Sequence, residues 1–326
     1  IVHIDDPGVA AGRFGFSADL GIPVQQGVAT ELAVTSDLTG LAVALPAGLG
    51  KAEEAAVPGS VRVRFGAPRS RLDFEYRSAA VWLTFAERVD GGAIAFDAEP
   101  PADHPEQALV LSGRLDGFML EDVLPGEDGG AGLTLPIHLD SLAVNRIDVG
   151  DFAVNGATLG GMVGQGGFEI DIDSRELIGV VSQTGDEVMS LSFAAVNVPA
   201  GEAEGDPLTP DLIPELPAAD VWIDRLMLGE DDYGNWRFEL RPGDGALTVA
   251  NLRADVRGVT VTASEPLVWQ ADPGRTRFRG TLDGGDLSVV LPQWGYAPTV
   301  ETEQAVLEGK FTWDGSPLAV DLFRVR

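Results

Sequence analysis

Runs in which charged and apolar residues alternate one by one recur along this 326-residue chain. Such a period of two restricts those stretches to β-strands with one face in water. Arg62, Arg64 and Glu75 alternate with Val61, Val63, Phe65, Phe74 and Tyr76. Phe168, Ile170 and Ile172 alternate with Glu169, Asp171 and Asp173. Leu247 and Val249 lead on to Val259-Thr260-Val261-Thr262, and Arg275, Arg277 and Arg279 enclose Thr276 and Phe278. Turn signals separate the runs at Asp90-Gly91-Gly92, Asp116-Gly117, Gly243-Asp244-Gly245, Asp283-Gly284-Gly285 and Asp314-Gly315. Helical spacing is confined to Leu120–Leu124 and Asp286–Leu291, each closed by a proline. The expected fold is all-β: a long, twisted, mostly antiparallel sheet with a few short helices.

Two internal echoes suggest repetition. Segment 137–154 aligns without a gap on 221–238, pairing Asp140 with Asp224, Gly150 with Gly234 and Phe152 with Trp236. Gly113-x-Leu115-Asp116-Gly117 with Leu124-Pro125 returns as Gly280-x-Leu282-Asp283-Gly284 with Leu291-Pro292. Three segments of one continuous sheet are expected, 1–126, 127–215 and 216–326. Repeated half-apolar strands must either cover one another or line a trough. With a strand every 8–12 residues and strands about 4.8 Å apart, the trough would be on the order of 100 Å long.

Composition narrows the function. The chain carries 22 Lys and Arg against 51 Asp and Glu, a net charge of −29. Nucleic acid is therefore a poor partner, since phosphate contacts need basic side chains, and adsorption on an anionic membrane surface is disfavoured. No cysteine is present, which rules out disulfides and thiolate chemistry and suits an oxidising compartment. No apolar stretch is long enough for a membrane-spanning helix. The chain opens on Ile1 without a signal peptide and stops at Arg326 within a strand pattern, so it is expected to be a piece of a longer one.

No catalytic constellation is evident. His3, His104 and His138 each stand alone, without the spaced partners of a metal site or a base. Glu230-Asp231-Asp232 lacks the spaced oxygens of a calcium loop and reads as a solvated hairpin turn. Asp171 and Asp173 read as an exposed acidic face more readily than as paired carboxylates for hydrolysis. Gly160–Gly167 has neither a phosphate-loop Lys nor dinucleotide-fingerprint spacing, and Ser17 sits in no nucleophile elbow.

Several segments resemble the YhdP family, the large AsmA-like proteins of the Gram-negative envelope. Ser36-Asp37-Leu38-Thr39-Gly40-Leu41 with Leu45-Pro46 and Gly50-Lys51 is similar to a family stretch of the form dLxGxxixLPxPxgK. Asp206-Pro207, Leu212, Pro214, Leu216-Pro217 and Trp222-Ile223-Asp224-Arg225-Leu226 resemble the join DPxxLPxl…idxL. Trp294-Gly295-Tyr296 and Phe311-Thr312-Trp313-Asp314-Gly315-Ser316-Pro317 resemble the ending lGy…lxWpGSP, with Asp314 where proline is usual. The matches run in the family's order over roughly residues 30–326.

The resemblance implies a non-enzymatic, repeating β-groove segment without cofactors, in which the sheet curls into an elongated apolar groove. Such a segment would conduct phospholipid between the inner and outer membranes. It implies a periplasmic location, an inner-membrane anchor, and membrane contact only through terminal parts that lie outside this chain. A monomer is expected, with phospholipid acyl chains as the bound partner. The candidate groove-lining residues are Ile137, Leu139, Leu142 and Val144 with their echoes Val221, Ile223, Leu226 and Leu228, together with Phe152, Trp236, Phe238, Val259, Val261, Trp269, Phe278 and Phe311. Each of them would equally serve ordinary core packing. Two alternatives stay open: a structural or scaffolding envelope β-array with a self-packed core, and a polysaccharide-active β-solenoid enzyme.

Overall fold

The computed structural model describes residues 2–6, 9–25, 28–45, 48–66, 68–101, 107–119, 135–149, 152–199, 209–243, 245–298, 301–317 and 319. The chain is all-β and divides into two compact units, Ile1–Arg175 and Glu176–Arg326.

In the first unit the strands are β1 (Val2–Asp6), β2 (Ala10–Phe14), β3 (Ser17–Gly21), β4 (Thr30–Ser36), β5 (Leu41–Val43), β6 (Gly59–Phe65), β7 (Ser70–Tyr76), β8 (Ala79–Phe85), β9 (Val89–Phe96), β10 (Leu109–Leu115), β11 (Phe118–Met119), β12 (Ile137–Val149), β13 (Phe152–Gly164) and β14 (Gly167–Asp173). β1, β2 and β5 form a small antiparallel sheet. The main sheet runs β3-β4-β6-β7-β8-β9-β10-β12-β13-β14. Its pairings are antiparallel except β9–β10 and β10–β12, where the chain crosses back before re-entering the sheet, as parallel pairing requires. Short β11 also lies parallel to β12.

The second unit comprises β15 (Leu177–Thr184), β16 (Met189–Val198), β17 (Ala219–Ile223), β18 (Leu226–Leu228), β19 (Asp231–Asp232), β20 (Asn235–Gly243), β21 (Ala246–Val256), β22 (Val259–Gln270), β23 (Arg275–Gly284) and β24 (Ala305–Asp314). Its sheet runs β15-β16-β17-β20-β21-β22-β23-β24, antiparallel except at β16–β17. A 3-10 helix, Pro210–Glu215, lies in the crossover before β17. The echo of 137–154 in 221–238 has a structural counterpart: β12 and β17 each follow a crossover, and each pairs in parallel with the strand before it.

The short helix expected near Asp286 is α1 (Leu287–Gln293), with the Asp286 side chain accepting from the Ser288 N–H at its N-terminus. It continues past Leu291 and keeps Pro292 inside, because so short a helix has few internal bonds for proline to break. The corresponding Leu120–Leu124 reading lies outside the described residues. Two turn readings change. Asp90-Gly91-Gly92 belongs to β9, and Asp283-Gly284 to the end of β23. At Gly92 the reason is steric: a Cβ would stand 2.3 Å from the Trp82 carbonyl oxygen, so glycine serves close strand approach and not chain reversal.

Candidate functional site

Cross-strand register converts the alternating sequence into two distinct faces, because residues paired across a ladder point to the same side. In the first unit one row reads Leu20, Leu32, Val63, Leu72, Leu83, Gly92, Leu109, Ile137, Val163, Phe168 from β3 to β14. The next row along the strands reads Ala18, Val34, Val61, Phe74, Val81, Ile94, Leu111, Leu139, Gly161, Ile170. Neither contains a polar side chain over ten strands. The row facing the other way reads Asp19, Ala33, Arg62, Asp73, Trp82, Ala93, Val110, His138, Met162, Glu169.

The second unit repeats the division. Gly179, Phe193, Ile223, Trp236, Ala254, Val261, Leu282 and Leu307 form an apolar row from β15 to β24. Behind it stand Val180, Ser192, Trp222, Arg237, Arg253, Thr262, Thr281 and Glu308. Ion pairs keep to the polar faces: Arg62 with Glu31 at 3.3 Å, Arg64 with Asp73 at 3.2 Å, and Arg241 with Asp220 at 2.7 Å.

The apolar faces are not uniformly covered. In the two rows of the first unit only Gly92 and Leu109 are buried, whereas Ala18 and Leu20 are exposed and the rest half-buried. Toward the strand ends that carry Tyr76 and Ala79 the same face becomes a packed core of Ala79, Phe96, Leu115, Leu142, Val144, Ile147, Val154, Ala157 and Leu159. In the second unit Val249, Leu252, Leu267, Phe278 and Trp313 are buried, with Trp236, Phe238, Val261 and Phe311 half-buried against them. The Phe278 and Phe311 rings stack with centroids 5.9 Å apart.

The candidate lining residues thus fall into different surroundings. Ile137 and Leu139 are half-buried members of the apolar rows, while Leu142 and Val144 sit in the packed core. Val221 is buried opposite Phe238, and Ile223 half-buried opposite Trp236. On β18, Leu226 is half-buried and Leu228 exposed. Val259 is half-buried opposite Val256, and Trp269 is sealed with Ile213 and Leu247 beneath the 3-10 helix. The side chain of Phe152 lies outside those described.

The candidate lining residues include none from β3 to β9, although the apolar face there carries Leu20, Leu72 and Leu83. Its strands alternate as cleanly as any others, so period two was the available signal; no internal echo marked them.

Among the described residues no group of three or more His, Asp or Glu side chains is placed to hold a metal ion, and no helix is long and apolar enough to cross a membrane. Asp231 and Asp232 form β19, just past the Gly229-Glu230 turn, and pair with Arg257 and Arg225. A depression lined by Ala86, Glu87, Arg88 and Asp90 is open to solvent and includes no member of the apolar rows.

Comparison with family models decides what this two-faced sheet is part of. The model described as YhdP protein matches residues 8–325. The chain belongs to the YhdP family. YhdP proteins are envelope proteins, and a long sheet with one apolar face is consistent with lipid-transport proteins of that compartment. Comparison with curated proteins and with solved structures brings no match.

Proposed function

We propose that the apolar face is a non-enzymatic conduit for phospholipid in the periplasm, carrying acyl chains between inner and outer membranes while head groups stay at a wet edge. The observation that carries this reading is the pair of unbroken apolar rows from Leu20 to Phe168 and from Ala18 to Ile170, left mostly half-exposed. Exposed apolar surface of that continuity marks a binding surface in a soluble protein. Each acyl methylene withdrawn from water stabilises the complex by about 0.8 kcal/mol, so a deep pocket would hold a whole chain too tightly to release it. A face whose positions resemble one another lets a chain slide with little change in free energy. No cofactor takes part, the segment acts as a monomer, and it reaches membranes only through other parts of the full-length protein.

Extraction of the purified chain with organic solvent, followed by mass spectrometry, tests this against an equally acidic soluble control. Phospholipid in clear excess over the control supports the conduit; a folded chain with none contradicts it. The second reading, a scaffolding β-array with a self-packed core, draws support from the sealed cluster around Leu142 and Val144. It predicts that second outcome.

A further inference from the structure

Among the described residues of this acidic chain Lys51 is the one strongly buried cation, at 7% exposed, and the conduit leaves it without a role. Its ammonium has three donors, and they go to the carbonyl oxygens of Leu38 at 3.0 Å, Ala52 at 2.9 Å and Leu41. All three donors are spent on main chain, so the lysine fastens a loop and presents no charge to a ligand. The loop lies between β5 and β6. Val43 and Lys51 exchange both backbone hydrogen bonds across it, and the Gly40 N–H donates to the Glu53 carbonyl. Two residues before Lys51, the Leu49 carbonyl accepts from the Tyr76 hydroxyl at 2.9 Å. The Leu49 side chain packs on the cluster of Leu142, Val144 and Leu159, which strands far along the sequence supply.

The exposure of the apolar face changes along the strands in step with this loop. Away from Leu49, large apolar side chains lie open: Leu20 is 59% exposed, Ile22 71% and Phe65 45%. Beneath Leu49, Leu142 and Val144 are 4% and 1% exposed.

We propose that the segment 48–52 is a strap, pinned by Lys51 and Tyr76, that closes one long edge of the first unit's apolar face. Head groups then emerge only at the opposite edge, beside Leu20 and Phe65. Lys51 is a positioning residue and touches no lipid. The consequence for lipid rests on the conduit reading; the closure itself does not.

Two readouts on the full chain separate the strap from the lipid reading. Hydrogen exchange is measured on wild type, Lys51→Met, Lys51→Arg and Tyr76→Phe. Phosphatidylethanolamine carrying a photoactivatable acyl chain is then cross-linked and its adducts mapped. Losing a charge-assisted hydrogen-bond set should lower protection of the strap amides about tenfold in Lys51→Met. Tyr76→Phe, which keeps the ring, should give a smaller loss, and serves alone if the lysine variant does not fold. Lys51→Arg should fall between, because a planar fork cannot reproduce three convergent ammonium bonds. Wild-type adducts should map near Leu20 and Phe65 and be absent at Leu142 and Val144; in Lys51→Met they should spread to both. Unchanged strap protection in Lys51→Met and Tyr76→Phe, or wild-type adducts at Leu142 and Val144, overturns the proposal. A loosened strap with no adduct in any protein upholds the closure and removes the conduit reading instead.

Discussion

The guanidinium of Arg257 meets the Asp231 carboxylate at 2.6 Å while stacking over the Tyr233 ring, 4.5 Å from its centroid. The same side chain donates to the Gln293 carbonyl, and the Trp294 indole N–H donates back to the Arg257 carbonyl at 3.2 Å. One residue thus joins the β18–β19 hairpin, the β21–β22 turn and the end of α1. Asp231 is largely exposed, so solvent screens the ion pair. The ring contacts and carbonyl bonds carry more of the stabilisation. We predict that Arg257→Ala costs about 2 kcal/mol. Arg257→Gly should cost less than Ala, because φ here is +47° and glycine relieves the backbone. Chemical denaturation of the two variants checks the order; equal losses would rule out backbone strain.

Gly161 lies in the apolar row between Leu139 and Ile170 with φ +118°, and a Cβ there would meet the Glu169 carbonyl oxygen at 2.0 Å. Gly161→Val is expected to cost about 3 kcal/mol or more and to open the β13–β14 ladder. Gly166, in the adjoining turn, has open space where its Cβ would go, so Gly166→Ala should unfold within about 0.5 kcal/mol of wild type. Hydrogen exchange across 152–173 distinguishes ladder opening from general weakening.

Acid should weaken the second unit in a defined direction. The Asp232 carboxyl is held below its ordinary value chiefly by the Gly234 N–H, with Arg225 adding to it. Asp286 is held low by the Ser288 N–H at the start of α1. A carboxyl with a lowered folded value contributes fully above the unfolded value, about 3.9 for aspartate, and loses that contribution as pH falls through the folded one. The melting temperature should therefore drop steepest below about pH 4. Asp286→Asn keeps the capping oxygen, so it should hold neutral-pH stability while flattening the acid limb. A wild-type acid limb in Asp286→Asn, read by calorimetry, argues against the assignment.

Much of this architecture is written in the alternation itself. Arg62 and Arg64 against Val61, Val63 and Phe65 tell which side of β6 faces water, and the register agrees. What alternation cannot carry is the identity of whatever covers an apolar side chain. Ile137 and Val144 look alike in sequence and lie on the same strand. Yet Ile137 stays half-exposed while Val144 is sealed, through contacts with Leu49 and with strands distant along the chain. The Gly-Lys pair at Gly50-Lys51 was legible as a family motif, but its purpose rests on three carbonyls converging only after folding. Glycines misled where they serve strand contact, as at Gly92.

The central claim is that lipid occupies one face of the sheet and leaves the other alone. Leu72→Asp and Leu111→Asp alter the apolar rows, whereas Arg62→Ser and Arg64→Ser alter only the polar face. Bound phospholipid per chain, measured by quantitative mass spectrometry on proteins whose circular dichroism stays β-type, compares the two pairs directly. A buried carboxylate must be desolvated against acyl carbon, so each apolar-face variant should lose at least about fivefold of its lipid. The arginine variants should retain the wild-type amount. Equal lipid in all four, or none in the folded wild type, would contradict the account.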